Sequence, residues 1–186
     1  AVIMEQKKGL ILINTGTGKG KTTAALGTAI RAWGDGQKVL ILQFIKGSWK
    51  YGELKAIETL GKCNGNIEIR PMGDGFVFHN KKEDEEEYRK KKELAEEAWN
   101  MVVKEVMSDH WDLIVLDEIN YAIHFNMIDA EKVLDLIHSR PERLNMILTG
   151  RYAVDALIEA ADTVTEMTLV KHAFQKGIRA RKGIEF

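Results

Sequence analysis

The chain has 186 residues, with hydrophobic residues at 45% and charged residues at 30%, a composition that excludes disordered, fibrous and disulfide-framework classes. Lys and Arg total 27 against 28 Asp and Glu, a formal charge of -1 that removes the basic excess a nucleic-acid binder uses for grip. The length suits one buried core, so residues 1–186 are read as a single domain.

Leu10 to Asn14 is a short apolar run that stops at Thr15-Gly16, and Thr22 to Trp33 is rich in Ala with apolar residues at helical spacing. Strand, glycine turn and helix therefore follow in that order. The turn, Gly16-Thr17-Gly18-Lys19-Gly20-Lys21-Thr22-Thr23, has the chemistry of a P-loop. Its glycines let backbone N–H groups converge on a polyphosphate at a helix amino terminus. Lys21 supplies a positive charge to the phosphates, the Thr22 hydroxyl is placed to ligate Mg²⁺ or Mn²⁺, and Lys19 adds a second charge. The usual G-x-x-x-x-G-K-[ST] spacing is altered: Thr15 stands where the first glycine belongs, and Gly16 follows it.

Lys38 to Phe44 is a continuous apolar run, the pattern of a parallel strand buried on both faces. Beyond it, Glu53 to Leu60 reads as helix and Asn66 to Arg70 as strand. Lys81 to Lys92 is densely charged, with Glu85-Arg89, Glu86-Lys90 and Glu87-Lys91 at i,i+4, and opens one long helix. Leu94, Ala98, Trp99, Val102, Val106 and Met107 give that helix its apolar stripe.

Leu113-Ile114-Val115-Leu116-Asp117-Glu118 is an apolar strand ending in two acids, a Walker B pattern that brings carboxylates to a Mg²⁺-nucleotide. One acid orients while the other ligates. Leu144 to Thr149 and Val164 to Val170 are the remaining strands. Strands alternating with helices imply an α/β fold of the P-loop NTPase, RecA-like class: an open, mostly parallel sheet with helices on both faces. The histidines (His79, His110, His124, His138, His172) lack a paired zinc spacing, and Cys63 stands alone, so no structural zinc or disulfide is expected. With no run of membrane-spanning length or signal pattern, the expectation is a cytoplasmic protein without a membrane partner. The basic stretch Lys176, Arg179, Arg181 and Lys182 reads as a solvated tail.

These motifs define an ATP-binding protein and leave its reaction open. The string from Thr15 to Ala25, Gln43-Phe44-Ile45-Lys46-Gly47, Gly75-Phe76, Val115 to Tyr121, Ser139-Arg140-Pro141, Leu148-Thr149-Gly150-Arg151, Ala161 to Met167 and Val170-Lys171-His172-Ala173-Phe174 resembles the ATP:corrinoid adenosyltransferases of the CobA/CobO/BtuR type. The resemblance runs nearly end to end. It implies transfer of the 5′-deoxyadenosyl group of ATP to the Co(I) of a reduced corrinoid such as cobalamin, with release of triphosphate.

It further implies that ATP lies in the reverse of the usual P-loop direction, with the γ-phosphate deep in the loop. Lys21 and Glu118 become catalytic groups, Thr22 and Glu118 metal ligands with Asp117 nearby, and Arg151 a contact for phosphates or corrinoid. Phe76 and Phe78 match the aromatic pair that strips the lower ligand from cobalt, although Phe78 stands where the family has Trp. About nine residues, Ala1 to Gly9, precede the first strand, against a longer arm covering the site in family members. A reduced flavoprotein as electron donor and a homodimer are the partners implied. Two other readings stay open from the residues alone: a kinase or ATPase acting at the γ-phosphate, and a non-catalytic module that carries ATP or corrinoid to a partner.

Overall fold

The computed structural model describes residues 8–44, 51–72 and 85–185. Six strands, β1 (Ile11–Thr15), β2 (Val39–Gln43), β3 (Ile67–Pro71), β4 (Leu113–Asp117), β5 (Asn145–Thr149) and β6 (Thr163–Glu166), form one sheet in the order β3-β2-β4-β5-β1-β6. Every pairing is parallel. Between them lie α1 (Lys21–Gly34), α2 (Gly52–Asn64), α3 (Glu85–Met107), α4 (Ile119–His124), α5 (Ala130–Ser139) and α6 (Asp155–Ala160).

The handedness of parallel crossovers explains which helix covers which face. The steps from β1 to β2 and from β2 to β3 run toward one edge, and their helices α1 and α2 pack together with Val39, Ile41, Leu113, Val115 and Ile147. The later steps run the other way, so α3, α4, α5 and α6 cover Leu40, Leu42, Ile114, Leu116, Met146 and Leu148 on the opposite face. Odd and even residues of one strand thus serve different cores, as the period of a strand requires. All five residues of β2 and of β4 are buried, which is why their apolar runs are unbroken.

Two sequence expectations shift. In α3 the buried stripe is Ala95, Ala98, Trp99, Val102 and Val106, while Leu94 and Met107 are about half exposed. The stripe is turned by one position at its start because the small Ala95 lets α3 approach the sheet, leaving Leu94 on its shoulder. The last strand ends at Glu166 rather than Val170 and is exposed throughout, an edge strand paired only to β1. Of the charged pairs at the start of α3, Glu86–Lys90 (2.8 Å) and Glu87–Lys91 (3.1 Å) form, and Arg89 reaches Glu93 at 3.8 Å.

Strand β1, which feeds the glycine loop, and acid-bearing β4 are not neighbours; β5 lies between them. This RecA-like arrangement places the end of β5 in the middle of the sheet's carboxyl edge, between loop and acids.

Candidate functional site at the carboxyl edge of the sheet

The loop after β1 is built by backbone conformations that favour glycine. Gly16 has φ +96° and Gly20 φ +105°, both in the region that side chains disfavour. A Cβ on Gly18 would also collide with Met167, whose carbonyl lies 2.7 Å from that position. Close approach is the reason for the third glycine: the Gly18 N–H donates to Met167 O at 2.6 Å, and the Met167 N–H donates to Thr15 O at 2.8 Å. One loop amide expected to face phosphate is therefore spent on anchoring the loop to the end of β6.

Gly20 precedes α1, whose first turn has neither a side-chain cap nor an acidic residue. Its amino-terminal N–H groups and the positive end of its dipole remain available to an anion. Lys21 is buried, and its Nζ donates to Gly16 O (2.9 Å) and Gly18 O (2.7 Å), curling across the loop it is expected to serve. Burial pushes its ammonium below the usual lysine range; Glu118 works against that shift, and Arg151 works with it. Arg151 itself is exposed.

The acid pair divides its labour. Asp117 is buried and saturated with donors: its Oδ1 accepts from Thr22 Oγ1 (2.8 Å) and Thr149 Oγ1 (2.7 Å), and its Oδ2 from Gln43 Nε2 (3.1 Å). It holds Thr22 in place across the gap between α1 and β4. Glu118 caps α4 in a left-handed conformation, φ 63°, with its N–H donating to Thr149 Oγ1 at 2.9 Å. Gly150, at φ +126°, keeps clear a position where a Cβ would lie 3.2 Å from Glu118 Oε2.

Thr22, Asp117 and Glu118 share one cleft of about 670 Å³ with Lys19, Gly20, Lys21 and Thr23. Tyr51, Gly52 and Glu53 at the start of α2 line it too, as do Gly183, Ile184 and Glu185. Burial, then Glu53 and Asp117, push the Tyr51 phenol up. Lys19 Nζ forms an ion pair with Glu185, a carboxylate of the chain itself. Thr17 is exposed and does not line the cleft. Phe76 and Phe78 lie outside the described residues.

A hydroxyl, a buried carboxylate and a second carboxylate are hard oxygen donors of the type that suits Mg²⁺. Gln43 Oε1, buried beside them, has no hydrogen-bond partner among the described residues. Among the described residues no cluster of three or more His, Cys, Asp or Glu side chains could cage a metal unaided. The donor set thus fits a cation that completes its shell with phosphate oxygens and water. Beyond Gly150 the edge continues as aromatic surface: His124 and Tyr152 stack at 4.1 Å, and Tyr121 packs on Phe125 at 4.6 Å.

Gln43 and Thr149 stand in the quoted motifs without an assigned role, and Tyr51 and Glu185 stand in none of them. Thr149 and Gln43 carried a usable signal, each being the polar residue that ends an apolar strand at the edge where ligands bind. Tyr51 and Glu185 carried none.

Arg140, within one of the matching motifs, belongs elsewhere. Its guanidinium donates to Ile137 O (2.5 Å), Gly9 O (2.8 Å) and Leu144 O (3.0 Å), tying the end of α5 to the start of β1. Asp162 likewise accepts the Ile11 N–H at 2.7 Å, and His172 closes a capping box with Gln175 on a short 3-10 turn, Ala173–Lys176.

Comparison with known proteins places this edge in a family. The chain is 36% identical over 182 residues to the corrinoid adenosyltransferase of Escherichia coli, covering 98% of this chain and 88% of that protein. It is 38% identical over 180 residues to the corrinoid adenosyltransferase of Pseudomonas aeruginosa, covering 97% and 85%. With the Sinorhizobium enzyme of the same name it shares 39% over 182 residues, covering 97% and 81%. The family model described as ATP:corrinoid adenosyltransferase BtuR/CobO/CobP matches residues 7–186, and the chain belongs to that family.

Proposed function

We propose that this chain transfers the 5′-deoxyadenosyl group of ATP to the Co(I) of a reduced corrinoid and releases triphosphate. The observation that carries the reading is the family match from residue 7 to residue 186, which spans the phosphate loop, the acid pair and Arg151 together. Co(I) is itself the nucleophile. It attacks the 5′ carbon, the carbon–oxygen bond to the α-phosphate breaks, and the electron pair leaves with triphosphate.

The protein's task is then to orient that carbon and stabilise charge on the leaving group. Gly16, Thr17, Gly18, Gly20 and Thr23 frame the loop, and Lys21 and the free amides of α1 face the polyphosphate, its γ-phosphate deepest. For Lys21 this requires exchanging two loop carbonyls for phosphate oxygens. Thr22 and Glu118 are the metal ligands in this reading, with Asp117 orienting Thr22. Bound Mg²⁺ or Mn²⁺ supplies charge neutralisation across the phosphates. Arg151 contacts phosphate or corrinoid, and Phe76 and Phe78 meet the lower face of the corrinoid.

A reduced flavoprotein as electron donor and a homodimer are parts of the same reading. No helix of the described residues is long and apolar enough to cross a membrane, and a cytoplasmic location accords with that and with the exposed thiol of Cys63. Incubation with MgATP and chemically reduced corrinoid tests the assignment: a light-sensitive Co–C product should form together with free triphosphate. Release of ADP with no Co–C product would instead favour a γ-phosphate enzyme.

A further inference from the structure

Gly183, Ile184 and Glu185 form one wall of the nucleotide cleft, far in sequence from the loop they face. The segment is curled back on itself: Gly183 has φ +78°, and the N–H groups of Ile184 and Glu185 both donate to Arg181 O, at 3.1 and 2.8 Å. Its burial is inverted. Ile184 is 78% exposed, whereas the Glu185 side chain is only 20% exposed and pairs with Lys19. A segment seated by the hydrophobic effect would bury its isoleucine first. This one is seated by its charge.

Lys19 immediately precedes Gly20 in the phosphate loop, so the ammonium that Glu185 holds borders the space that reads as the polyphosphate site. A polyanion entering that space meets the Glu185 carboxylate as a like charge and Lys19 as an opposite one. We propose that Glu185 is a built-in competitor for the loop lysine: it pairs with Lys19 when no nucleotide is present, and bound polyphosphate displaces it and frees the segment. The pairing is partly solvated, and such pairs contribute little, which suits a contact meant to yield. The inference rests on the nucleotide reading of the loop and adds to it a group that sets nucleotide affinity.

The experiment uses the full chain with MgATP and, separately, inorganic tripolyphosphate as probes, with binding measured calorimetrically. Glu185→Gln should bind both about two- to fivefold more tightly than the unchanged protein. The gain should shrink as salt is raised, and it should vanish when Lys19→Ala is added. Trypsin cleavage after Arg181 and Lys182 should accelerate when MgATP is added to the unchanged protein, and should be fast in Glu185→Gln without nucleotide. Unchanged or weaker binding by Glu185→Gln, or nucleotide protection of the segment, overturns the proposal while leaving the loop assignment standing. Failure of the unchanged protein to bind either probe overturns both.

Discussion

The two edges of the sheet hold charge in opposite ways. At the amino edge, Arg140 donates to three backbone carbonyls, and Arg143 joins Asp109 at 2.9 Å and also Asp112, whose other oxygen accepts the Lys38 N–H at 2.8 Å. Those groups are consumed in joining elements. At the carboxyl edge, Asp117 is equally occupied, but it holds Thr22 beside an open cleft, and Lys21 is parked on loop carbonyls that water or phosphate can replace. The contrast shows that a matched motif marks two kinds of residue: those that close the fold and those held in reserve for a ligand.

Substitution should separate the two kinds. The largest effect is expected from Lys21→Ala, which should lower adenosyl transfer about 10²- to 10³-fold. Its stability should fall less than that of Arg140→Ala, since two carbonyls lose a donor rather than three. Arg140→Ala should do the reverse: a loss of about 2–4 kcal/mol in denaturant unfolding from carbonyls left without donors, with kcat/KM of the folded fraction unchanged. Were Arg140→Ala to abolish transfer in folded protein, the division between edges would fail.

A smaller effect tests the middle of the carboxyl edge. Thr149→Val removes the donor to Asp117 and the acceptor for the Glu118 N–H in one step, and should raise the Mg²⁺ requirement about five- to thirtyfold. Thr149→Ser should restore it, and Mn²⁺ affinity read by electron paramagnetic resonance should follow the same order. The smallest effect belongs to Glu105, in the last turn of α3. Burial would raise the Glu105 carboxyl, but hydrogen bonds from Trp111 Nε1 (2.8 Å) and Arg70 (2.6 Å) outweigh it and hold the group below its usual range. A lowered folded value stabilises the protein above the unfolded value and ceases to do so as pH falls through the folded one. Glu105→Gln should therefore cost about 1 kcal/mol near neutrality, and its melting curve should converge with that of the unchanged protein in acid.

Most of the sheet was legible because buried parallel strands declare themselves: β2 and β4 are unbroken apolar runs, and both lie buried from end to end. The phosphate loop and acid pair were legible for a similar reason, each being contiguous in the chain. What escaped depends on contacts between distant residues. Nothing near Glu185 announces Lys19, 166 positions earlier, and nothing in Thr149 announces that β5 is inserted between β1 and β4. The α3 stripe was nearly right, since periodicity fixes its direction but not the rotation that places Ala95 rather than Leu94 against the sheet. The aromatic pair Phe76 and Phe78 was legible only as family resemblance.

The bond from Gly18 to Met167, with its companion from Met167 to Thr15, staples the phosphate loop to the rim of the sheet. Among the described residues, strand β6 has β1 on one side and no strand on the other. A strand or second subunit zipping onto that outer margin would engage the β6 groups that point away from β1, while the amide and carbonyl of Met167 stay turned toward the loop. Whatever lines the periphery is thereby separated from the loop by the width of a single strand.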